Sequence, residues 1–490
     1  MTHHGELYLR DFVPPRSVYH GSGRFGRLFP DLAPFASPSE ELRKNLLKLG
    51  AKDGPMDPKD PLIPPADALA SAPGNADNTL NPMMTVGFTF LGQFLDHDIT
   101  FDPTSSFERQ QDPESVSNFR TPCFELDSAY GAGIGASPHL YDKGNKARFL
   151  IEKLGPAPDA KDDLPRNSQG AAIIGDPRND ENVILSQMHL AFLKFHNAVE
   201  ADIRPRFPGT GERFAEAQRR VRWHYQWIIL NQYLPATVGD DLVEDILENG
   251  RRYYNWREEP FIPAEFSVAA YRFGHSQIRP GYKPNPDLQA AIFDARFGQV
   301  VDGQVVTDLR GGLREPNRFV NWNIFFDFGD GSVKRNKLID TTISTPLFTL
   351  PFDAPGNPTA EEPPATLAGR NLLRHLTFSL PCGQDVARAM GEEPLAKGDF
   401  APAVQALKMA ERTPLWFYIL QEAKTREAGK RLGPVGGRIV AEVFIGLLQG
   451  DRKSYLRQHP KWRPEYASHG VFEMQELLHM AGMPGTRARP

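Results

Sequence analysis

Apolar positions are scattered up to about residue 80, where Pro, Gly, Asp and Asn dominate, as in Gly54-Pro55-Met56-Asp57-Pro58 and Pro61 to Pro65. That composition predicts extended chain wrapped over a core rather than long helices. From Met83 the pattern changes: Val86, Phe90, Phe94 and Leu95 recur at helical spacing up to His97, with Pro103 beyond. A polar, irregular stretch follows, from Asp102 to about Gln169. Helical periodicity returns over 182–203, 212–233 and 265–278. Residues 281–369 read as loop-rich, with strand-like pieces such as 299–306. Further helices are predicted over 369–374, from 386 to 390 onward, over 415–426 and over 437–448. Long helices with few alternating β-branched runs predict an all-α protein with very little β. No repeat is visible. The expected layout is one unit: a wrapping segment 1–82, a core 83–450 and an extension 451–490 packing on it.

Composition narrows the function classes. The chain has 490 residues, 40% of them hydrophobic, which is enough for a substantial core. The formal net charge is only −5 and no basic block occurs, which argues against a nucleic-acid partner. Two cysteines, Cys123 and Cys382, exclude a disulfide scaffold and suit a reducing compartment, although one bridge between them stays open. The first residues, MTHHGELYLRDFVPPRS, lack the apolar core of a signal peptide. The apolar run 439–448 is interrupted by Glu442 and is too short for a bilayer. These features predict a protein without a transmembrane segment, cytoplasmic by default, with leaderless secretion as the alternative.

Chemistry concentrates in a few segments. In Gly92-Gln93-Phe94-Leu95-Asp96-His97-Asp98, three titratable side chains end an otherwise apolar helix. Successive residues differ by about 100° around a helix, so the three should face different environments, while Gln93 shares the face of His97. Acids at a helix C-terminus oppose its dipole, which a plain surface end does not explain. Gly175-Asp176-Pro177-Arg178-Asn179-Asp180-Glu181-Asn182 reads equally as a turn and a capped helix start, except that this leaves Arg178 without a role. Tyr271-Arg272-Phe273-Gly274-His275 holds a lone histidine on an apolar helix, by itself more often a core residue than a ligand. In Thr121-Pro122-Cys123-Phe124-Glu125-Leu126-Asp127-Ser128, an extended backbone would turn Thr121, Cys123, Glu125 and Asp127 to one side. Such oxygen donors suit calcium, which takes six to eight hard oxygens, but an acidic loop is usually just solvated.

These segments, in this order, resemble the animal haem peroxidases of the peroxidase–cyclooxygenase superfamily over about residues 21–450. The resemblance implies a helical domain with haem b between distal and proximal helices. It makes His97 the acid–base catalyst, Arg178 the distal arginine and Gln93 part of the water and halide site. Asp96 and Glu181 would be the carboxylates that can esterify the haem. Asn182 stands where some mammalian members carry a methionine that forms a third link, so that link is excluded. His275 would be the axial iron ligand, Asn371 the acceptor for its other nitrogen, and Arg272 and Arg374 partners of the haem propionates. The family's Arg-Asp-His-Gly after that arginine is replaced here by Leu376-Thr377-Phe378-Ser379. Calcium would take Asp98 together with Thr121, the Cys123 carbonyl, Glu125 and Asp127, where mammalian members end in aspartate and serine.

The residue types suit the chemistry. A neutral imidazole can carry a proton from the inner to the outer oxygen of hydrogen peroxide, and a fixed guanidinium can steady the departing charge. The implied partners are hydrogen peroxide and a halide, thiocyanate or small organic donor. Two alternatives stand beside this. A fatty-acid dioxygenase of the same superfamily would need a tyrosine three residues before His275, where this chain has Arg272. An adhesion protein stabilised by haem or calcium would have no need of His97, Gln93 and Arg178 together.

Overall fold

The computed structural model describes residues 25–60, 80–101, 118–256, 259–301, 303–351 and 365–488. The expected extended stretch Pro61 to Pro65, the first residues, read as lacking a signal-peptide core, and Pro103 beyond the first helix lie outside them. Nine helices carry the argument: α1 (Glu40–Leu49), α2 (Gly87–Ile99), α3 (Val183–Ile203), α4 (Thr210–Ile228), α5 (Asp240–Asn249), α6 (Leu367–Thr377), α7 (Gly383–Ala389), α8 (Leu415–Arg426) and α9 (Pro434–Gly450). Strands among the described residues form only two-stranded sheets. One pairs Val300–Val301 with Gln304–Val305, inside the predicted strand-like stretch. The protein is mostly helical, as its sequence pattern predicts.

The centre of the core is α3, buried on nearly every side from Val183 to Ile203, as a helix without a polar face must be. Asn182 starts it by accepting the Leu185 N–H at 2.9 Å. α2 lies against it with Phe94 stacked on Phe192 at 4.6 Å. α4 runs on through a π turn, Ile229–Tyr233, into Leu234–Val238. Pro235, which lacks an N–H and crowds the turn before it, accounts for the widened winding. That turn delivers Tyr233 against α2 at Gly92, where a side chain would have to enter the Tyr233 hydroxyl.

Three expectations change. The N-terminal segment holds a ten-residue helix, α1, because Ser39 caps it at the Leu42 N–H and Leu46 and Leu49 bury. α5 lies in a stretch with no predicted element. The predicted helix 265–278 is helical but not α: a π turn, Glu265–Ala269, breaks at Ala269 (φ −125°, ψ −73°) into a 3-10 helix, Ala270–Gln277. Three residues per turn eclipse positions i and i+3, so Arg272 and His275 share one face.

Candidate active site

One cavity of about 560 Å3 is bordered by both histidine segments: His97, Arg178 and Gln93 on one side of the sequence pattern, His275, Asn371 and Arg374 on the other. Asp96, Glu181 and Arg272 border it as well.

His97 projects from the last turn of α2. Its Nδ1 lies 2.8 Å from the Asn179 Oδ1, and the Asn179 Nδ2 lies 2.9 Å from Nδ1 of His189, about two turns into α3. Burial and the nearby Arg178 cation push His97 down to about 4, so the ring is neutral at physiological pH. Arg178 sits in a 3-10 turn, Pro177–Asp180, started by Asp176. Its guanidinium binds Asp176 at 2.8 and 3.1 Å, lies over the Phe101 ring at 4.5 Å, and donates to the carbonyls of His97 (3.1 Å) and Thr100 (2.6 Å). It thereby satisfies carbonyls that the end of α2 leaves unpaired. Asp176 also binds Arg120 at 3.1 Å; burial opposes ionisation, but the two guanidiniums hold its carboxyl well below the usual range.

The row Asp96-His97-Asp98 meets two environments, not three. Asp96 shares the cavity with His97, accepts the Thr100 hydroxyl at 2.9 Å and lies 3.9 Å from Arg272. Burial opposes its charge, yet Arg272, His97 and Arg178 pull its pKa down. The Gln93 amide donates to Glu181, which burial pushes up to about 7. Asp98 turns away from the cavity and accepts from the Leu126 N–H (3.0 Å), the Ser128 hydroxyl (3.2 Å) and the Tyr225 hydroxyl (3.2 Å).

Across the cavity His275 Nδ1 contacts the Asn371 amide at 2.7 Å. Asn371 presents Nδ2 to the ring, where the expected acceptor role would want the amide oxygen, so the contact is made but in the opposite sense to the expectation. Burial, with Arg272 adding to it, pushes His275 down to about 3, leaving a neutral imidazole with a lone pair to offer. Arg272 donates to the Ser267 carbonyl at 2.8 Å and leans toward Asp96, a partner the sequence did not suggest. Tyr271 hydrogen-bonds Gly92 O and the Tyr233 hydroxyl, both at 3.1 Å. His375, which carried no expectation, fixes α6 to α8 by accepting the Trp416 N–H at 3.0 Å.

The loop 121–128 departs from the one-sided arrangement of its oxygen donors. The chain turns tightly twice, with Cys123 N–H on Thr121 O (2.8 Å) and Glu125 N–H on Cys123 O (3.0 Å), so period-two alternation is lost. Glu125 turns to Arg222, its carboxylate at 3.6 Å, and Asp127 pairs with Arg120 at 3.5 Å. Among the described residues no three His, Cys, Asp or Glu side chains gather as a metal site. Cys123 and Cys382 are free thiols.

Asn179, His189, Asp176 and Arg370 were not singled out by sequence. Asp176 could have been, since it stands two residues before Arg178.

Residues 140–307 match the family model described as animal haem peroxidase. Drosophila melanogaster peroxidasin is 26% identical over 66% of this chain and 20% of its own length. The chorion peroxidase of that fly is 27% identical over 68% and 41%, and human myeloperoxidase 25% over 63% and 40%. The chain thus spans a fifth to two fifths of these relatives. Peroxidase A from Dictyostelium discoideum superposes with a TM-score of 0.61 at 15% identity, over 100% of this chain and 98% of that one. An Arabidopsis thaliana fatty acid α-dioxygenase gives 0.57 at 14%, over 99% and 81%. At such identity these structures speak for the fold alone. The family match carries Arg178 and His275 within it, and over residues 140–307 this chain is similar to the animal haem peroxidases.

Proposed function

We propose that the protein is a haem peroxidase that takes haem b into this cavity, reduces hydrogen peroxide and oxidises a halide, thiocyanate or small organic donor. The observation that carries the reading is the convergence of His97, Arg178 and His275 on one cavity. Two neutral imidazoles suit an iron porphyrin, and Arg272, Arg370 and Arg374 on the same border suit its propionates. Haem bound there supplies an iron that accepts peroxide and stores its oxidising equivalents. His275 would hold the iron, positioned by Asn371. His97, uncharged, takes the proton from the near peroxide oxygen and returns it to the far one. Arg178, fixed by Asp176, lies ready for the charge on the departing oxygen; loss of such a donor typically costs about two to three orders of magnitude in rate.

Two finer assignments belong to this reading. Asp96 and Glu181 border the cavity and would form ester links to the haem; acid–acetone extraction after peroxide treatment should then leave haem on the chain, and complete extraction would count against the links. Calcium would be held by Asp98 and Asp127 with loop carbonyls and hydroxyls. Its support is electrostatic: burial pushes Asp98 up to about 6, burial and Asp98 hold Asp127 high, and Asp127 Oδ1 lacks a hydrogen bond.

The fold shared with α-dioxygenases and the cavity-side Tyr271 are what a dioxygenase would draw on, but Arg272 occupies the position three before His275. His97→Ala should abolish the fast spectral change with peroxide while haem stays bound. Survival of that change, or oxygen uptake with linoleate in the absence of peroxide, would overturn the proposal.

A further inference from the structure

Three buried side chains form a line leading away from the cavity: His97 on α2, Asn179 in the turn after Arg178, and His189 on α3. An amide is polar in a fixed sense, its oxygen only accepting and its nitrogen only donating. With Oδ1 toward His97, the His97 Nδ1 must carry the hydrogen, and the lone pair of the neutral ring is then on Nε2. With Nδ2 toward His189, the His189 Nδ1 must be bare and its hydrogen must sit on Nε2. That Nε2 has no hydrogen-bond partner, and the ring is held edge-on by Phe94 at 5.9 Å. Turning the amide over would reverse both rings together and place a hydrogen on His97 Nε2, where the peroxide proton has to go.

We infer that Asn179 and His189 are positioning residues that set the tautomer of His97, keeping its Nε2 bare. The inference rests on His97 being the proton-moving group proposed above. Arg178, Asp176 and Asp96 face His97, and Asp176 and Arg120 lie nearest His189. These charges act on both rings, whereas the Asn179 amide touches both nitrogens directly. No carboxylate bonds the Nδ1 of His97: a neutral amide orients the ring there, while burial and the Arg178 cation keep it uncharged.

The test uses the full chain with 15N in its histidine rings, measured without haem, the His97 signals being identified by their loss in His97→Gln. His97 is expected with hydrogen on Nδ1 and a bare Nε2, and His189 with the opposite pattern. Asn179→Leu should bring His97 to a mixture of tautomers and, in the haem-loaded protein, slow the peroxide step by about tenfold or more. His189→Phe, which keeps a ring beside Phe94, should give a mixture as well. Asn179→Asp should keep the Nδ1 hydrogen, because a carboxylate oxygen still accepts it. A hydrogen on His97 Nε2 in the unaltered chain, or an unchanged tautomer in both Asn179→Leu and His189→Phe, overturns the inference. A tautomer shift with no change in the peroxide rate leaves it standing and sinks instead the role given to His97.

Discussion

Asp176 binds two guanidiniums at once, Arg178 toward the cavity and Arg120 toward the loop at 121–128, and it is fully buried. Removing one member of a buried ion pair strands the charge of the others, at a cost of about 3–5 kcal/mol. Asp176→Asn should therefore lower the unfolding free energy by about that much in a denaturant titration. It should also slow the peroxide reaction of the surviving folded protein, since Arg178 loses the anchor that aims it. At this scale the sequence was informative where one residue type does one job: His97, Arg178, His275 and Asn371 all border the cavity. It was uninformative where a role arises only in space. Asn179 and His189 become partners of His97 because the turn at 177–180 folds back onto α2, which no spacing announces. The one-sided array expected of the oxygen donors at 121–127 is lost for the opposite reason, because an assumed extended backbone turns out to be two tight turns.

Among elements, the join between α8 and α9 rests on one carboxylate. Glu422 accepts the Val435 N–H at 3.0 Å and the Gly436 N–H at 3.2 Å, anchoring the first turn of α9, yet burial pushes it up to about 7. A raised carboxyl pKa means that the unfolded chain loses its proton first as pH rises. The contribution of this group to stability should thus be greatest below about pH 4.5, fall between about 4.5 and 7, and level off above, by about 3 kcal/mol. Glu422→Gln should flatten that part of the stability–pH curve; an unchanged slope would place the pH dependence elsewhere. The tie between α2 and the loop is tested by metal content. One calcium per purified chain, lost to EDTA with a lower Tm, is the expected result; none would leave Arg120 as the cation that neutralises Asp127 and Asp176. The mostly apolar helices α2, α3, α8 and α9 were legible because burial over most of their length demands apolar residues. α1 carried a readable start in Ser39 followed by two acids, masked by the Pro and Gly around it. The 3-10 winding at 270–277 was not legible, because tertiary bonds such as Tyr271 to Gly92 hold it there.

In the whole molecule, the N-terminal segment lies across the proximal elements that hold His275. Phe25–Gly26 pairs with Ile262–Pro263, and the buried Glu265 accepts the N–H groups of Leu28 and Phe29 at 3.0 and 3.2 Å. α1 then docks on α6, which carries Asn371, so the helix behind His275 is braced by residues more than 300 positions before it in sequence. The contact is backbone to backbone at Gly50: a Cβ there would sit 2.7 Å from Gly369 N and 2.9 Å from Ala368 C. Backbone atoms cannot swing aside as a flexible side chain does, so Gly50→Val must push α1 off α6 or move α6 itself. Overpacking of this kind costs about 1–3 kcal/mol. If the strap helps to position Asn371 behind His275, Gly50→Val should speed haem loss to an acceptor globin as well as lower Tm. Gly54→Val, which would press on the carbonyls of Lys48 and Ala51 within the segment itself, should lower Tm with less effect on haem loss. Equal haem loss from both variants would show that the strap supports the fold without supporting the placement of His275.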